Sequence, residues 1–338
     1  MQDRGLFTRS GLGLIILTIS VWGNGLLAQT PLIDFEPTES YQGFEGLLYD
    51  GSNQRPAALT AAAPAIEPIN GRIVMASLGF SNVQQEFAAF MGQVEVLQND
   101  SGSGVNPDLE LVNLATPGCV ASSTSSLEAR NGRCWGSFLN KLSAAGISPA
   151  EVQIIWMKVY STTRGLEFPA YLPLWSEDVH GTLDTALQQF PNLKQVYLSS
   201  RIYSYEDPTF PSLSPEPYAY QSGFAVKELV AEQHPGLWVS WGPYLWANGA
   251  EPRSDGLVWL PDDFQSDGTH PSSMGASKVS EMLLGFFGSD EAASQWFLAD
   301  GTVVVTPEAL LQELIADYPN LPEDEVLSRL EEILSLLW

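Results

Sequence analysis

Asp267-Gly268-Thr269-His270-Pro271 places a carboxylate three residues before an imidazole. Pro271 biases His270 away from helical backbone geometry, so a loop can present the ring while a helix begins just beyond it. Asp267 is close enough in sequence to curl back and orient that ring. An imidazole held by a carboxylate is half of a nucleophilic apparatus and calls for a hydroxyl or thiol partner from elsewhere in the chain. Ser81, in Leu78-Gly79-Phe80-Ser81-Asn82, is a candidate. At the turn from a strand into a helix its hydroxyl would stand at the sheet edge, with its backbone N–H at the positive helix end. Taken alone, a serine at that turn also reads as a helix cap.

The elements that must position these groups follow from the hydrophobic pattern. Residues 72–78 form a near-continuous apolar run, the signature of a strand buried on both faces. Further strands are expected at 109–114, 152–159, 194–199 and 237–241, and helices at 83–94, 136–145, 183–190, 223–232 and 274–287. Such alternation predicts an α/β fold, a five-stranded parallel sheet with helices on both faces. Ligands then meet the C-terminal ends of the strands. Residues 29–70 are rich in Pro, Gly and Ala without a sustained period and read as a segment wrapping the main domain, 71–299. An acidic extension, 300–338, carries two amphipathic stretches, for which packing against the domain and docking of a partner are both open. At the start, Arg4 and Arg9 precede an apolar run at 12–21, and Ala28 suits the position before a cut. Residues 1–28 are therefore expected to be a secretory signal, with an uncleaved anchor as the alternative.

Gly79-Phe80-Ser81-Asn82, the glycine loop Thr116-Pro117-Gly118 after the second strand, and the late Asp267 to His270 block occur in an order that resembles the SGNH (GDSL-like) hydrolase family. Tyr197-Leu198-Ser199-Ser200-Arg201-Ile202-Tyr203 and Pro215-Glu216-Pro217-Tyr218 are similar to a secreted bacterial branch of it. The resemblance implies a three-layer flavodoxin-like fold and a serine esterase that needs no metal or cofactor. It makes Ser81 the nucleophile, His270 the general base and Asp267 its orienting carboxylate. The oxyanion hole would be formed by Ser81, Gly118 and, after the third strand where the family carries an asparagine, Ser161. Phe80 replaces the usual aspartate before the serine. Arg201 and Tyr203, at the end of the fourth strand, are expected to face substrate, or else, for Arg201, to bridge a carboxylate. The implied substrate is an ester, with O-acyl groups on a polysaccharide favoured by analogy and export. The competing reading is a noncatalytic carbohydrate-binding or surface protein with a degenerate oxyanion hole.

Composition narrows the partners. Among 338 residues, 15 Lys and Arg face 40 Asp and Glu, a net charge of −25. That field opposes a nonspecific grip on nucleic acid or anionic lipid. Beyond the first segment, no stretch has the length of a membrane span, so a secreted or periplasmic protein is expected. Three histidines and two cysteines, scattered in sequence, exclude a Cys/His structural zinc site. Cys119 and Cys134 pair into a disulfide or remain buried thiols. His180 and His234 lie at helix ends and read as structural. Trp238, Trp241, Tyr244 and Trp246 are either a sugar-stacking wall or strand residues buried on two faces. Self-repulsion of so many carboxylates is screened by salt, so the melting temperature is expected to rise between low and moderate ionic strength. Thermal scans across a salt series check this, and a flat profile would count against it.

Overall fold

A computed structural model describes residues 29–100, 102–162, 166–205 and 215–299, with 314, 318, 322 and 325–330. The expected signal segment and most of the acidic extension lie outside the described residues. The chain opens with a hairpin, β1 (Ser40–Tyr41) and β2 (Phe44–Glu45), and a short helix α1 (Ala57–Ala61). Strands β3 (Ile73–Leu78), β4 (Leu109–Asn113), β5 (Val152–Lys158), β6 (Gln195–Ser199) and β7 (Trp238–Trp241) then alternate with helices α2 (Ser81–Asn99), α3 (Arg133–Ala144), α4 (Leu172–Gln189) and α5 (Tyr218–Ala231). Helix α6 (Ser273–Ser289) and a final turn, α7 (Ser294–Phe297), follow.

The five strands β3 to β7 form one parallel sheet in the order β4-β3-β5-β6-β7. This is the flavodoxin-like order, in which the chain runs outward from β3 to β4 and then crosses back to β5. Every residue of β3, β5, β6 and β7 is buried, which explains why apolar residues predominate on both faces of each. Helix α2 packs beside α6, and α4 beside α5. Phe90 of α2 meets Phe287 of α6 at 5.8 Å between ring centroids, while Trp135 of α3 meets Phe190, just past α4, at 6.0 Å.

Two helices begin earlier than the periodicity predicts. Helix α4 starts at Leu172, with Pro173 in its first turn, a position where the missing N–H costs nothing. Helix α5 starts at Tyr218, and Gly223 lies inside it because a side chain there would sit 3.1 Å from the Tyr244 ring and 3.3 Å from Leu32.

Residues 29–70 run along the sheet. The Trp241 and Trp238 indoles donate to the carbonyls of Leu48 and Leu59, each at 2.8 Å. Gln195 donates to the Pro64 carbonyl and Gln153 to that of Glu67, both at 2.8 Å. The segment is thus fastened to β7, β6 and β5 in turn by side-chain donors that would otherwise be buried without acceptors. The tetrad Trp238, Trp241, Tyr244 and Trp246 is at most 6% exposed. It is core, and the expected sugar-stacking wall is not formed by these rings.

Cys119 and Cys134 form a disulfide closing a separation of 15 residues, between the loop after β4 and the start of α3. Loop closure of that size is worth about 3 kcal/mol in the unfolded chain. The double variant Cys119→Ser/Cys134→Ser is therefore expected to lose stability by about that amount in urea unfolding. An unchanged midpoint would show that the bridge does not constrain the chain.

Candidate active site

Ser81 is the first residue of α2. It is not the helix cap: Phe80 holds that position, with no capping side chain. Gly79, at φ 141°, makes the turn, and a side chain there would meet Val83 at 2.9 Å. The Ser81 hydroxyl is therefore available, and it lies 2.7 Å from His270 Nε2. On the far side of the ring, Nδ1 lies 2.5 Å from Asp267 Oδ2. The other carboxylate oxygen, Oδ1, accepts the backbone N–H groups of Thr269 and His270 at 3.0 and 2.9 Å. Burial pushes the Asp267 carboxyl up, but the hydrogen bonds from the His270 backbone, its ring and the Thr269 backbone together hold it below the ordinary carboxylate range. The group is anionic where it faces the imidazole, with His270 at 18% side-chain exposure.

The loop carrying this pair is tied on three sides. Asn82, buried at the start of α2, donates from Nδ2 to the Thr269 carbonyl at 2.8 Å. Gly268, at φ 63°, lets its backbone pass so close to the Tyr205 carbonyl that a Cβ would fall 2.4 Å from it. The Tyr205 N–H donates to the Gly268 carbonyl at 2.9 Å. Beyond Pro271, Ser272 caps α6 by accepting from Gly275 N at 3.3 Å. Asn82 had no role in the sequence reading; its signal was a buried-type position occupied by an amide next to the serine.

The loops after the first three sheet strands are laced together. Thr116 N donates to the Gly79 carbonyl at 2.8 Å, and Ala121 N to that of Tyr160 at 3.0 Å. Gly118 follows two residues after that Thr116 tie, at φ 79°, with its carbonyl taken by Arg130 Nη1 at 2.6 Å. The N–H of Ser81 belongs to the first turn of α2, where no intrahelical acceptor exists. Ser161 is placed differently from expectation. Its hydroxyl donates to Asp178 Oδ2 at 2.6 Å, and a hydroxyl has one proton to give. The third oxyanion donor expected at this position is not supplied by that hydroxyl.

Arg201 is 2% exposed, so it lies behind the site and not at its mouth. Its guanidinium stacks 4.8 Å over the Phe80 ring and 5.3 Å over Tyr160, while Nε and Nη2 are buried without a hydrogen-bond partner among the described residues. A direct substrate contact and a surface salt bridge are both replaced by cation–π packing against the residue before Ser81. Tyr203 is half-buried against Tyr205, with ring centroids 4.8 Å apart. His180 and His234 stack on each other at 5.0 Å, engaging Glu232 and the Leu229 carbonyl. Among the described residues, no group of three or more His, Cys, Asp or Glu is arranged to hold a metal ion, and no helix is long and apolar enough to cross a membrane.

Beneath the site lies a cluster of buried charge that the sequence reading missed. Lys158, ending β5, contacts both oxygens of Glu86 on α2, at 2.7 and 2.9 Å, with both side chains at 0% exposure. Burial pulls the Lys158 ammonium down to about 8, against the attraction of Glu86. Glu216 accepts from Ser204 N at 3.2 Å, Trp246 Nε1 at 2.9 Å and Tyr220 N at 3.1 Å. It thereby fixes the segment that leads to Tyr205 and the histidine loop. Burial pushes its carboxyl up to about 7, despite those three donors and Arg201.

No protein-family model matches the chain, and no curated protein matches it. Among solved structures, the periplasmic domain of a lipopolysaccharide acetyltransferase of Salmonella ser. Paratyphi A aligns over 65% of this chain and 84% of its own, at 11% identity and a TM-score of 0.38. At that level of likeness nothing about activity passes from one chain to the other.

Glu216 generates a pH dependence of stability. Its folded pKa of about 7 exceeds the ordinary 4.5 of the unfolded chain. The folded state then binds more protons between those values, so the contribution is fully present below about 4.5 and is lost as pH rises through about 7. Relative to Glu216→Gln, the native protein is expected to lose unfolding free energy across that window. Parallel pH profiles for the two proteins in denaturant titrations would show that the carboxyl titrates normally.

Proposed function

We propose that the protein is a secreted serine esterase that hydrolyses an ester by acyl transfer through Ser81. The observation carrying this reading is the continuous line Asp267, His270, Ser81, with contacts of 2.5 and 2.7 Å, supported by the resemblance of the three blocks to SGNH hydrolases. His270 Nε2 takes the hydroxyl proton as Ser81 Oγ attacks the acyl carbon. The tetrahedral oxyanion is received by the N–H groups of Ser81 and Gly118. Collapse breaks the ester C–O bond, and His270 returns the proton to the leaving alcohol. Water, deprotonated by the same nitrogen, then cleaves the acyl-enzyme and releases the carboxylic acid. Asp267 keeps the ring in the tautomer with Nδ1 protonated and stabilises the imidazolium.

The disulfide fits an oxidising compartment outside the cytoplasm. There, O-acyl groups on a polysaccharide are the proposed substrate class. The Ser161 hydroxyl bound to Asp178 favours a second reading, a noncatalytic binder that retains the fold.

Hydrolysis of p-nitrophenyl acetate separates the two. The native chain is expected to turn over, with Ser81→Ala and His270→Ala reduced by about a million-fold and Asp267→Asn by about 10,000-fold, all with native circular dichroism. A fluorophosphonate should label the native protein on Ser81 alone. Absence of both turnover and labelling would reject the esterase and leave the binder.

A further inference from the structure

The same edge of the sheet that carries Ser81 holds a second concavity. The loop after β5 enters α4 through Phe168 and Tyr171, and the loop after β6 enters α5 through Tyr218. Together with Tyr41 of the hairpin these residues line a cavity of about 290 Å³. Its walls are aromatic: Tyr171 and Tyr218 lie 5.4 Å apart, Tyr41 and Phe168 5.2 Å. Its floor is polar. The Tyr171 hydroxyl donates to Gln221 Oε1, and Gln221 Nε2 donates to the Tyr41 oxygen at 2.8 Å. This relay leaves the second amide hydrogen of Gln221 and the hydroxyl proton of Tyr41 to donate further. Glu167, at the exposed rim, adds acceptors.

Aromatic faces around a donor and acceptor floor match one ligand chemistry closely. A pyranose ring presents apolar C–H faces to stack and a rim of hydroxyls that both donate and accept. An acyl chain would leave the floor unpaired, at a cost of about 1–3 kcal/mol per buried group. An anionic sugar would meet Glu167 and the field of a chain with net charge −25. The position is also suitable. The loops after β5 and β6 that line it leave the sheet at the same end as the turn after β3 that carries Ser81, and the buried rings of Tyr160 and Trp175 pack between that turn and Tyr218.

We propose that the cavity between the hairpin, the α4 entry and the α5 start is a subsite for a neutral sugar unit of a polysaccharide. Its purpose, presenting an O-acyl group on a neighbouring unit to Ser81, rests on the esterase reading; the binding itself does not.

The test uses the Ser81→Ala chain, which cannot turn over, in native gels containing xylan, hydroxyethylcellulose or galactomannan. Retardation by at least one of the three is expected. Tyr218→Ala, added to that chain, should weaken it by about tenfold or more through lost stacking. Because Tyr218 packs on Tyr171 and Trp175, a second variant guards against misfolding: Leu166→Arg, at a lining residue 42% exposed, should also weaken retention by obstructing the mouth. No retardation on any glycan, or retention unchanged in the two added variants, overturns the subsite. Retention by Ser81→Ala beside a native chain that hydrolyses no ester sinks the esterase reading alone, whereas turnover without retention sinks the subsite alone.

Discussion

The packing of α2 against α6 is the interaction on which the site depends. Ser81 opens α2 and His270 lies three residues before α6, so setting these helices side by side on one face of the sheet brings together two residues 189 positions apart. The contact is carried by Phe90 against Phe287 and by a 2.5 Å hydrogen bond from Ser280 to Gln93. Asn82 to Thr269 closes the same interface at its catalytic end. Helix α2 begins at Ser81 itself, and the partial positive charge of its first turn would favour an oxyanion over a neutral carbonyl oxygen. A shift of one helix along the other would break the serine contact, and the directional hydrogen bonds at the helix starts fix that position more narrowly than the Phe90–Phe287 packing alone.

The buried ions beneath the site follow a different logic. Lys158 and Glu86 join the central strand β5 to α2, and in an interior of low dielectric their attraction offsets only part of the cost of removing both from water. Replacing the pair by apolar residues could match its stability but not its directionality. An ammonium donating to both carboxylate oxygens pins α2 in rotation and in height, and Ser81 is five residues along from Glu86, little more than one turn. Arg201 extends the effect, since its flat guanidinium lies against Phe80 and so backs the turn that carries Ser81. The aromatic residue before the serine, unusual against the resembled family, thereby acquires a physical partner.

Much of this was legible before any coordinates. Strands buried on both faces leave mainly apolar runs, and each of the five strands was found within a residue or two at its ends. Asp267 and His270 could be paired from local spacing, because a carboxylate three residues before an imidazole needs only one tight turn at Gly268 to reach it. What escaped notice depends on contacts between distant segments. Nothing in Trp156-Met157-Lys158 says that its lysine points inward, and nothing local to Ser161 announces that Asp178 will accept its proton. The aromatic residues around the last strand are favoured as buried strand residues over a stacking wall, and the bonds of Trp241 and Trp238 to the 29–70 segment show what covers two of them. A glycine inside a helix, as at Gly181 in α4, lowers local propensity while a close approach, here to the Ser125 carbonyl, requires it.

The distribution of charge bears on turnover as well as on fold. The chain as a whole is strongly acidic, the Asp267 carboxylate stands behind His270, and Lys158 is paired with Glu86, so the local preference for an oxyanion comes from the unpaired N–H dipoles of the first turn of α2 inside a negative field. An uncharged ester approaches such a protein without electrostatic hindrance, and the oxyanion forms where the local potential favours it. On the proposed reaction the second half-step produces a carboxylate, which is held by the site only while it remains among those dipoles. Once it moves outward it meets the surrounding negative field and is driven from the protein, so the acidity of the surface works against rebinding of the acid product while leaving a neutral glycan chain free to stay seated.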